Sequence, residues 1–273
     1  MFMLEILKEF CGFGGYSREA AGAYSWQHLT FVSTFVAIMF ALGILIGLYY
    51  KKHPDKNKNV PLIWAAILID VFELTKIVIC CVRSELGDAH WYDSLLLDLP
   101  LFLCSIQLIT LPLAAFTKGR LKEAALDFVL IFGLLGALAG TYGAAQNFGS
   151  YPLICIDNVA SVITHCISGF GALYIGFSGL ASLRKRNIGI TFGILGFFCT
   201  AAYIVNKIID YNYMFLMRGD GTPYDILFNL VKGSPILYPL GVVALFLVYI
   251  FAFYMVYFLI KKSKTSRAVS AQV

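Results

Sequence analysis

Charged residues are scarce in this chain, and their scarcity excludes an ordinary soluble domain. Asp, Glu, Lys and Arg make up 14% of the 273 residues, whereas an average soluble domain has about 25%. Hydrophobic residues make up 59%, and the mean hydropathy is +0.78. So little charge combined with so much apolar surface is typical of a protein embedded in a lipid bilayer.

Three further absences narrow the possible functions. The seven cysteines form no CxxC pair and no metal-ligand spacing, so we predict neither a metal nor another cofactor. The last apolar run, residues 237–260, contains no lysine, which excludes a retinal Schiff base. The first 27 residues carry Glu5, Glu9 and Glu19 and lack the basic-then-apolar build of a cleaved signal peptide. We therefore expect the first membrane span to serve as the targeting signal.

Seven apolar runs are present instead, each with about 20 residues or more, enough to cross a hydrocarbon core of about 30 Å. They predict an all-α fold, a single seven-transmembrane-helix domain covering residues 1–273 in the cell membrane. The runs are His28–Tyr50, Leu62–Cys81, Leu95–Phe116, Ala124–Ala145, Ile156–Leu180, Ile188–Ile209 and Leu237–Ile260.

The two ends of the chain have their own patterns. Met3, Ile6, Leu7 and Phe10 follow i, i+3, i+4 and i+7 spacing, which is typical of an amphipathic helix too short to span a bilayer. This pattern predicts that residues 1–27 form an N-terminal interfacial segment. Residues 261–273 are predicted to form a flexible basic tail.

Lysine and arginine are unevenly divided between the two predicted sides of the membrane. The loops after the first, third and fifth runs and the C-terminal tail hold 14 of them, and the opposite side holds six. Because positive loops stay in the cytoplasm, the N-terminus is predicted outside and the C-terminus in the cytoplasm. This distribution also explains the net charge of +5, so we predict membrane lipids as partners and no nucleic acid.

Ionisable residues inside the runs are the most informative ones, since each costs roughly 2.5–3.5 kcal/mol at the bilayer centre. Asp70, Glu73 and Lys76 share one face of the second run. They either pair with one another or face a cavity. With the predicted directions, polar groups from four helices fall in the outer half of the membrane, which predicts one internal cavity there. Further candidates for its lining are His28, Gln107, Asn206, Asp210 and Asn212.

Cys104 and His165 lie at matched depth in this arrangement. Each is nine residues from the outer end of its run, or about 13–14 Å deep. A cysteine and a histidine at one depth are candidates for a nucleophile and its base. The alternative is that Cys104 is a small packing residue. Glycines such as Gly136 and Gly140 are interpreted as helix-packing residues without a functional role.

Several motifs resemble those of a known family. The run LPLFLCS at 99–105 resembles the LPLHLC motif of the YwaF family of bacterial membrane proteins, with Phe102 in place of its histidine. The run NYMFL at 212–216, with Asn206 upstream, resembles a second segment of that family. His28 and His165 match histidines at corresponding places, and residues 234–238 replace a WPWY-like stretch. The resemblance extends from about residue 24 to 240.

The resemblance implies a reaction, because animal relatives of the YwaF family include a cysteine- and histidine-dependent acyltransferase acting on ether lysophospholipids. By that likeness Cys104 would be the nucleophile and His165 its base. A lipid acyl-transfer enzyme facing the outer half of the bilayer is therefore the leading hypothesis. Supporting roles fall to Glu73, Asp70 or Asn206 as imidazole-orienting groups, and to Gln107 or Asn212 as oxyanion donors.

A second hypothesis is that the protein is not a catalyst. The same polar cavity would bind or transport a small amphiphile or ion, with Asp70, Glu73 and Lys76 as its charge partners.

Overall fold

The chain is all-helical, as predicted. The computed structural model describes residues 2–87, 89–181 and 183–270, and within these ranges helices are the only regular structure. Two short 3-10 helices, Lys185–Asn187 and Tyr213–Phe215, accompany the α-helices. The α-helices are α1 (Phe2–Cys11), α2 (Trp26–Lys52), α3 (Val60–Leu86), α4 (Trp91–Leu97), α5 (Gln107–Phe116), α6 (Gly119–Tyr142), α7 (Ala145–Ser150), α8 (Ile156–Ser178), α9 (Ile188–Ile209), α10 (Tyr224–Leu230) and α11 (Leu237–Ser270).

Five helical segments of the described chain are long and apolar enough to cross a membrane. This finding supports a multi-pass membrane protein, while the count of seven spans and their orientation stay predictions. Each segment overlaps one of the predicted runs, and the second run lies inside α3, which carries more charge. The five are Trp26–Lys52, Gly119–Ser150, Ile156–Ser178, Lys185–Ile209 and Leu237–Leu259.

The third predicted run is not one helix, so that prediction was wrong. The structure divides Leu95–Phe116 into the end of α4, an irregular stretch over residues 98–106, and α5. Pro100 explains the break, because proline lacks an N–H and disfavours helical backbone at the residue before it. The backbone turns tightly there, with the Leu101 N–H donating to the Leu99 carbonyl over 2.7 Å.

Contacts divide the chain into two compact units, residues 1–182 and 183–273. The single-domain interpretation stays a prediction, and each unit is described separately. The first unit is built around α8, against which α2, α3 and α6 pack. Gly43 shows how closely α2 approaches, since a Cβ atom at Gly43 would lie 2.6 Å from the Leu173 Cβ of α8.

One end of the first unit gathers several lysine-bearing segments, and we call it the lysine-rich end. The Lys58 ammonium donates to the Ser178 carbonyl at the end of α8 over 2.9 Å. The Lys122 ammonium of α6 donates to Asn59 Oδ1 over 2.6 Å, and Asn59 Nδ2 donates to the Ala115 carbonyl of α5. The loops after α2 and α5 therefore lie at the same end, as the predicted alternation requires.

A largely buried ion pair lies at the end of the first unit opposite the lysine-rich end. Two Arg83 nitrogens of α3 lie 2.7 and 2.8 Å from the two carboxylate oxygens of Asp157 at the start of α8. The Tyr16 hydroxyl donates to the same carboxylate over 2.8 Å. This pair ties the N-terminal segment to α3 and α8.

Helix α1 begins at Phe2 and matches the predicted amphipathic segment, of which Met1 lies outside the described residues. Its apolar side chains Met3, Leu4, Ile6 and Leu7 are all more than half exposed. Such a face suits the membrane interface, and the interfacial position stays a prediction.

The second unit contains α9, α10 and α11, with the Thr191 and Tyr254 hydroxyls 3.3 Å apart between α9 and α11. Helix α11 continues to Ser270, through most of the segment predicted as a flexible tail. Residues 271–273 of that tail lie outside the described residues.

Candidate functional site

Cys104 lies in the irregular stretch between α4 and α5. Its carbonyl accepts the Gln107 N–H over 3.2 Å, which begins the first turn of α5. The side chain is partly exposed. The break in the third run therefore places the thiol just before a helix rather than within one.

The structure brings the Cys104 and His165 side chains together. The thiol and the imidazole lie close enough to interact electrostatically. His165 lies near the middle of α8, the central helix of the first unit. A cysteine beside a histidine is the arrangement of an activated thiol nucleophile.

The contact made by one ring nitrogen of His165 determines which of its two nitrogens can act as a base. Nδ1 lies 2.7 Å from the Ser161 carbonyl, one helical turn earlier. A carbonyl only accepts hydrogen bonds, so Nδ1 carries the proton and Nε2 is the basic nitrogen. The group at Nδ1 is thus a backbone carbonyl, and the orienting role predicted for Glu73, Asp70 or Asn206 stays a prediction.

Two glycines of α6 make room for the pair. A Cβ atom at Gly140 would overlap Nε2 and Cδ2 of the His165 imidazole, and a Cβ atom at Gly136 would contact the Cys104 Cβ at 3.4 Å. These glycines, one helical turn apart, form a shallow trough against which both side chains lie. Both glycines therefore pack closely, as predicted, and the side chains they pack against are those of the candidate site.

Gln107 supplies an unused hydrogen-bond donor one turn beyond Cys104. Its side chain is fully buried, and its Oε1 accepts from the Thr110 hydroxyl over 3.1 Å. Its Nε2 has no hydrogen-bond partner among the described residues. A buried amide donor without a partner is unfavourable by about 1–3 kcal/mol, so a group that accepts from it would stabilise the site.

The comparison with protein families bears on this site directly. The model of the TMEM164 family matches residues 23–257, a range that contains Cys104 and His165. The chain belongs to the TMEM164 family. This is a family of transmembrane proteins, in agreement with the apolar helices of both units. No curated protein and no solved structure shows detectable similarity to the chain.

Glu73 and Lys76 of α3 have partners in this TMEM164-family chain. The Lys76 ammonium lies 2.7 Å from Glu73 Oε1 and 2.9 Å from Asp98 Oδ1 at the end of α4. The Glu73 carboxylate also interacts electrostatically with the His165 imidazole. Of the two predicted alternatives for these residues, pairing with one another thus describes Glu73 and Lys76. Asp98 is an additional partner of Lys76 that was not predicted.

Asp70 stands apart from this ion-pair network. It is half-buried, and the structure shows no hydrogen bond or ion pair for its side chain within the described ranges. Its predicted supporting role in the site stays a prediction.

His28 has a structural role at the opposite end of α2. Its Nδ1 accepts the Tyr24 N–H over 3.2 Å, and its Nε2 donates to the Thr141 carbonyl of α6 over 3.2 Å. The buried imidazole also stacks on Phe148 with ring centroids 3.9 Å apart. Both nitrogens are therefore occupied, and the contact of Nε2 holds α2 to α6. The predicted supporting role of His28 in the site stays a prediction.

Asn206 and Asn212 stabilise the loop after α9 in the second unit. The Asn206 amide donates to the Tyr213 carbonyl over 3.0 Å and accepts the Tyr213 N–H over 2.7 Å. The Asn212 amide donates to the Arg218 carbonyl and to Asp220 Oδ2, over 2.8 and 2.7 Å. These contacts join the end of α9 to the NYMFL run and to the loop that follows it.

Asp210 caps the C-terminal end of α9 in left-handed backbone, and its side chain is exposed. The substrate-binding roles of Asn206, Asp210 and Asn212 stay predictions.

Proposed function

We propose that this protein is an intramembrane acyl-transfer enzyme of the cell membrane that acts on phospholipid and lysophospholipid. Cys104 is the nucleophile and His165 the base. The observation that carries this proposal is the position of the thiol beside the imidazole, combined with the contact of His165 Nδ1 with the Ser161 carbonyl. That contact leaves Nε2 unprotonated and available to the thiol.

The first half-reaction forms a thioester. His165 Nε2 accepts the Cys104 thiol proton as the sulfur attacks the ester carbonyl carbon of a donor phospholipid. The tetrahedral intermediate then expels the glycerol oxygen, which takes the proton from the imidazolium. The products are an acyl-Cys104 thioester and a lysophospholipid.

The second half-reaction returns the enzyme to its starting state. Nε2 accepts the hydroxyl proton of an acceptor lysophospholipid, and the acceptor oxygen attacks the thioester carbonyl. The carbon–sulfur bond breaks, and the Cys104 thiolate takes the proton back from the imidazolium. One ester is broken and one is formed, so the transfer needs no other reactant.

Gln107 is the proposed oxyanion donor. Its unpartnered Nε2 lies on a side chain held by Thr110, in the first turn after the nucleophile. A donor that is buried and already oriented stabilises a developing oxyanion more than a mobile one. Asn212 is not assigned this role, since its amide donates within its own loop.

The test is acyl transfer in proteoliposomes that contain a labelled diacyl phospholipid and an unlabelled lysophospholipid acceptor. We expect Cys104→Ala and His165→Asn to abolish transfer, and Gln107→Leu to lower it by about 10²-fold. Cys81→Ala of α3 serves as a control of the same residue type and should retain full activity. Full transfer by Cys104→Ala would overturn the proposal.

Thioester trapping distinguishes the enzyme from a carrier of the same lipid. Intact-protein mass spectrometry after rapid acid quenching should show an acyl adduct that hydroxylamine removes and that Cys104→Ala lacks. A protein that binds phospholipid without ever carrying this adduct would instead fit the non-catalytic hypothesis.

A further inference from the structure

An apolar groove runs along the surface of the first unit, between α2 and α3. Both helices pack on α8, which forms the floor of the groove. Its volume is about 640 Å³. The lining includes Met39 and Leu42 of α2, Trp64 and Leu68 of α3, and Cys166 and Phe170 of α8. Neither Cys104 nor His165 lines it, so the groove is separate from the proposed catalytic pair.

The dimensions of the groove suit a lipid acyl chain. Along α2 it extends from Phe35 to Tyr50, which is 15 residues or about 22 Å at the helical rise. One leaflet of the hydrocarbon core is about 15 Å thick. A chain that enters from the lysine-rich end can therefore lie along the groove over the whole depth of its leaflet.

Lys56 contacts a residue at one end of the groove. Tyr49, which lines the groove, accepts a hydrogen bond from the Lys56 ammonium. The same nitrogen lies 4.8 Å from the centroid of the Tyr49 ring. The hydrogen bond to Tyr49 raises the pKa of Lys56 above its ordinary value. The ammonium therefore remains charged where the apolar lining ends.

The segment around Lys56 adds to this positive charge. Lys51 and Lys52 form the last turn of α2 and are exposed, and Lys58 follows in the same loop. Asp55 is the one acidic residue in this stretch. A basic cluster beside a bilayer attracts anionic headgroups, at about 1 kcal/mol for each lysine near the surface.

We propose that this groove binds an anionic phospholipid from the surrounding bilayer. One acyl chain occupies the groove, and the phosphate lies against the ammonium groups of Lys51, Lys52 and Lys56. Charge complementarity decides between anionic and zwitterionic lipids, because an acyl chain alone would fill the apolar part equally well in both. The site does not depend on the proposed acyl transfer.

Native mass spectrometry of the purified full chain tests the proposal. The protein is incubated with equal amounts of palmitoyl-oleoyl phosphatidylglycerol and palmitoyl-oleoyl phosphatidylcholine. We expect one retained phosphatidylglycerol per chain, preferred by about tenfold or more over phosphatidylcholine. Lys51→Gln/Lys52→Gln/Lys56→Gln should bring this preference close to one, whereas Lys118→Gln/Lys207→Gln/Lys232→Gln removes the same charge elsewhere and should leave it unchanged.

A matched pair of leucines tests the groove itself. Leu42 and Leu45 are both exposed on α2, at 48% and 65%, and only Leu42 lines the groove. Leu42→Trp should reduce retention of phosphatidylglycerol at least fivefold, and Leu45→Trp should not. Since both side chains are exposed, neither substitution disturbs the core, and a monodisperse elution profile confirms folding.

Several outcomes would overturn the proposal. Equal retention of the two lipids by the unsubstituted protein would show that the lysines do not select the headgroup. Equal effects of the two tryptophan substitutions would show that the lipid does not bind in the groove. A fatty acid found in place of a phospholipid, or a dimer without lipid that Leu42→Trp separates, would assign the groove to another occupant.

Discussion

Gly140 lies directly against the imidazole of His165. A methyl group there would overlap His165 Nε2, the nitrogen proposed to take the thiol proton. We expect Gly140→Ala to displace the imidazole, lower acyl transfer by at least about 10²-fold and reduce modification of Cys104 by an iodoacetamide probe. Transfer assays and peptide mass spectrometry measure the two effects.

Gly193→Ala is the matched control for this substitution. Gly193 is also a helical glycine, and a Cβ atom there would meet no described atom within 4 Å. Unchanged transfer by Gly140→Ala, with folding intact, would show that the position of Nε2 is unimportant for the reaction.

At the scale of single residues, the sequence identified candidate side chains but not the backbone group that contacts one of them. Cys104 and His165 stood out because their chemistry is visible in the residue type and their depths matched. The Ser161 carbonyl could not be found in this way, since every residue has a carbonyl group. Polarity alone does not distinguish a ligand contact from a structural hydrogen bond, so the site roles predicted for His28 and Asn212 stay predictions.

At the scale of helices, the interrupted third run shows where a prediction from hydropathy and length fails. Residues 95–116 are apolar enough for a span, and hydropathy does not register the N–H that Pro100 lacks. Pro100 itself was the available signal for a break. The matched depth of Cys104 and His165 in a membrane stays a prediction, while their side chains lie close together despite the break.

The ion pair between α3 and α8 should be the most sensitive contact between these helices. Arg83→Met leaves the Asp157 carboxylate largely buried without its cation, and the expected loss in free energy of unfolding is about 3 kcal/mol. Arg18→Met breaks an exposed pair with Glu9 and should cost about 1 kcal/mol or less. Reversible denaturation in mixed micelles measures both values.

A double variant separates the lost charge from the lost packing. Arg83→Met/Asp157→Leu replaces the pair with apolar groups and should recover part of the stability. If Arg83→Met is no worse than Arg18→Met, the pair is not a significant link between the helices.

The contact between α1 and the following segment should depend on pH. Backbone and side-chain hydrogen bonds from Ser17 and Arg18 lower the pKa of the Glu9 carboxyl from 4.5 to about 2. Because the folded value is the lower one, the contact is fully formed above pH 4.5 and is lost as the pH falls towards 2. Amide protection at Ser17 and Arg18, measured by NMR, should follow this titration.

Glu9→Gln is the control for this titration, since its amide does not titrate. The variant should show weak protection that is independent of pH across the same range. Protection that persists in the unsubstituted protein below pH 2 would contradict the assigned cause.

On the scale of the whole molecule, the predicted orientation can be tested in the first unit. Contacts through Asn59 place the loops after α2 and α5 at one end, and positive charge predicts that this end is cytoplasmic. Lys52→Cys and Lys118→Cys should react with a membrane-impermeant maleimide only from the cytoplasmic side. Glu85→Cys, near the opposite end, should react only from outside.

The background for this labelling replaces Cys81 and Cys104 with alanine, because the other five cysteines are buried. Reaction of Lys52→Cys and Lys118→Cys from opposite sides would refute the alternation, and reversal of all three would refute the orientation.

Composition predicted the membrane class and the all-helical fold, since hydropathy is a sum over many residues and tolerates local errors. The sequence did not predict two units separated near residue 182. That division depends on which helix faces pack together, and a hydropathy profile carries no such pairing information. The central place of α8 in the first unit was hidden for the same reason.

The irregular stretch before α5 has a consequence for the fate of the thioester. Backbone groups outside a helix are tolerated at membrane depth only beside protein or in a water-filled cavity, and a site that admits the acceptor hydroxyl also admits water. Water then competes with the acceptor lysophospholipid for the same carbonyl carbon. When acceptor is scarce, the protein should release free fatty acid, and the ratio of transfer to hydrolysis should rise with acceptor concentration.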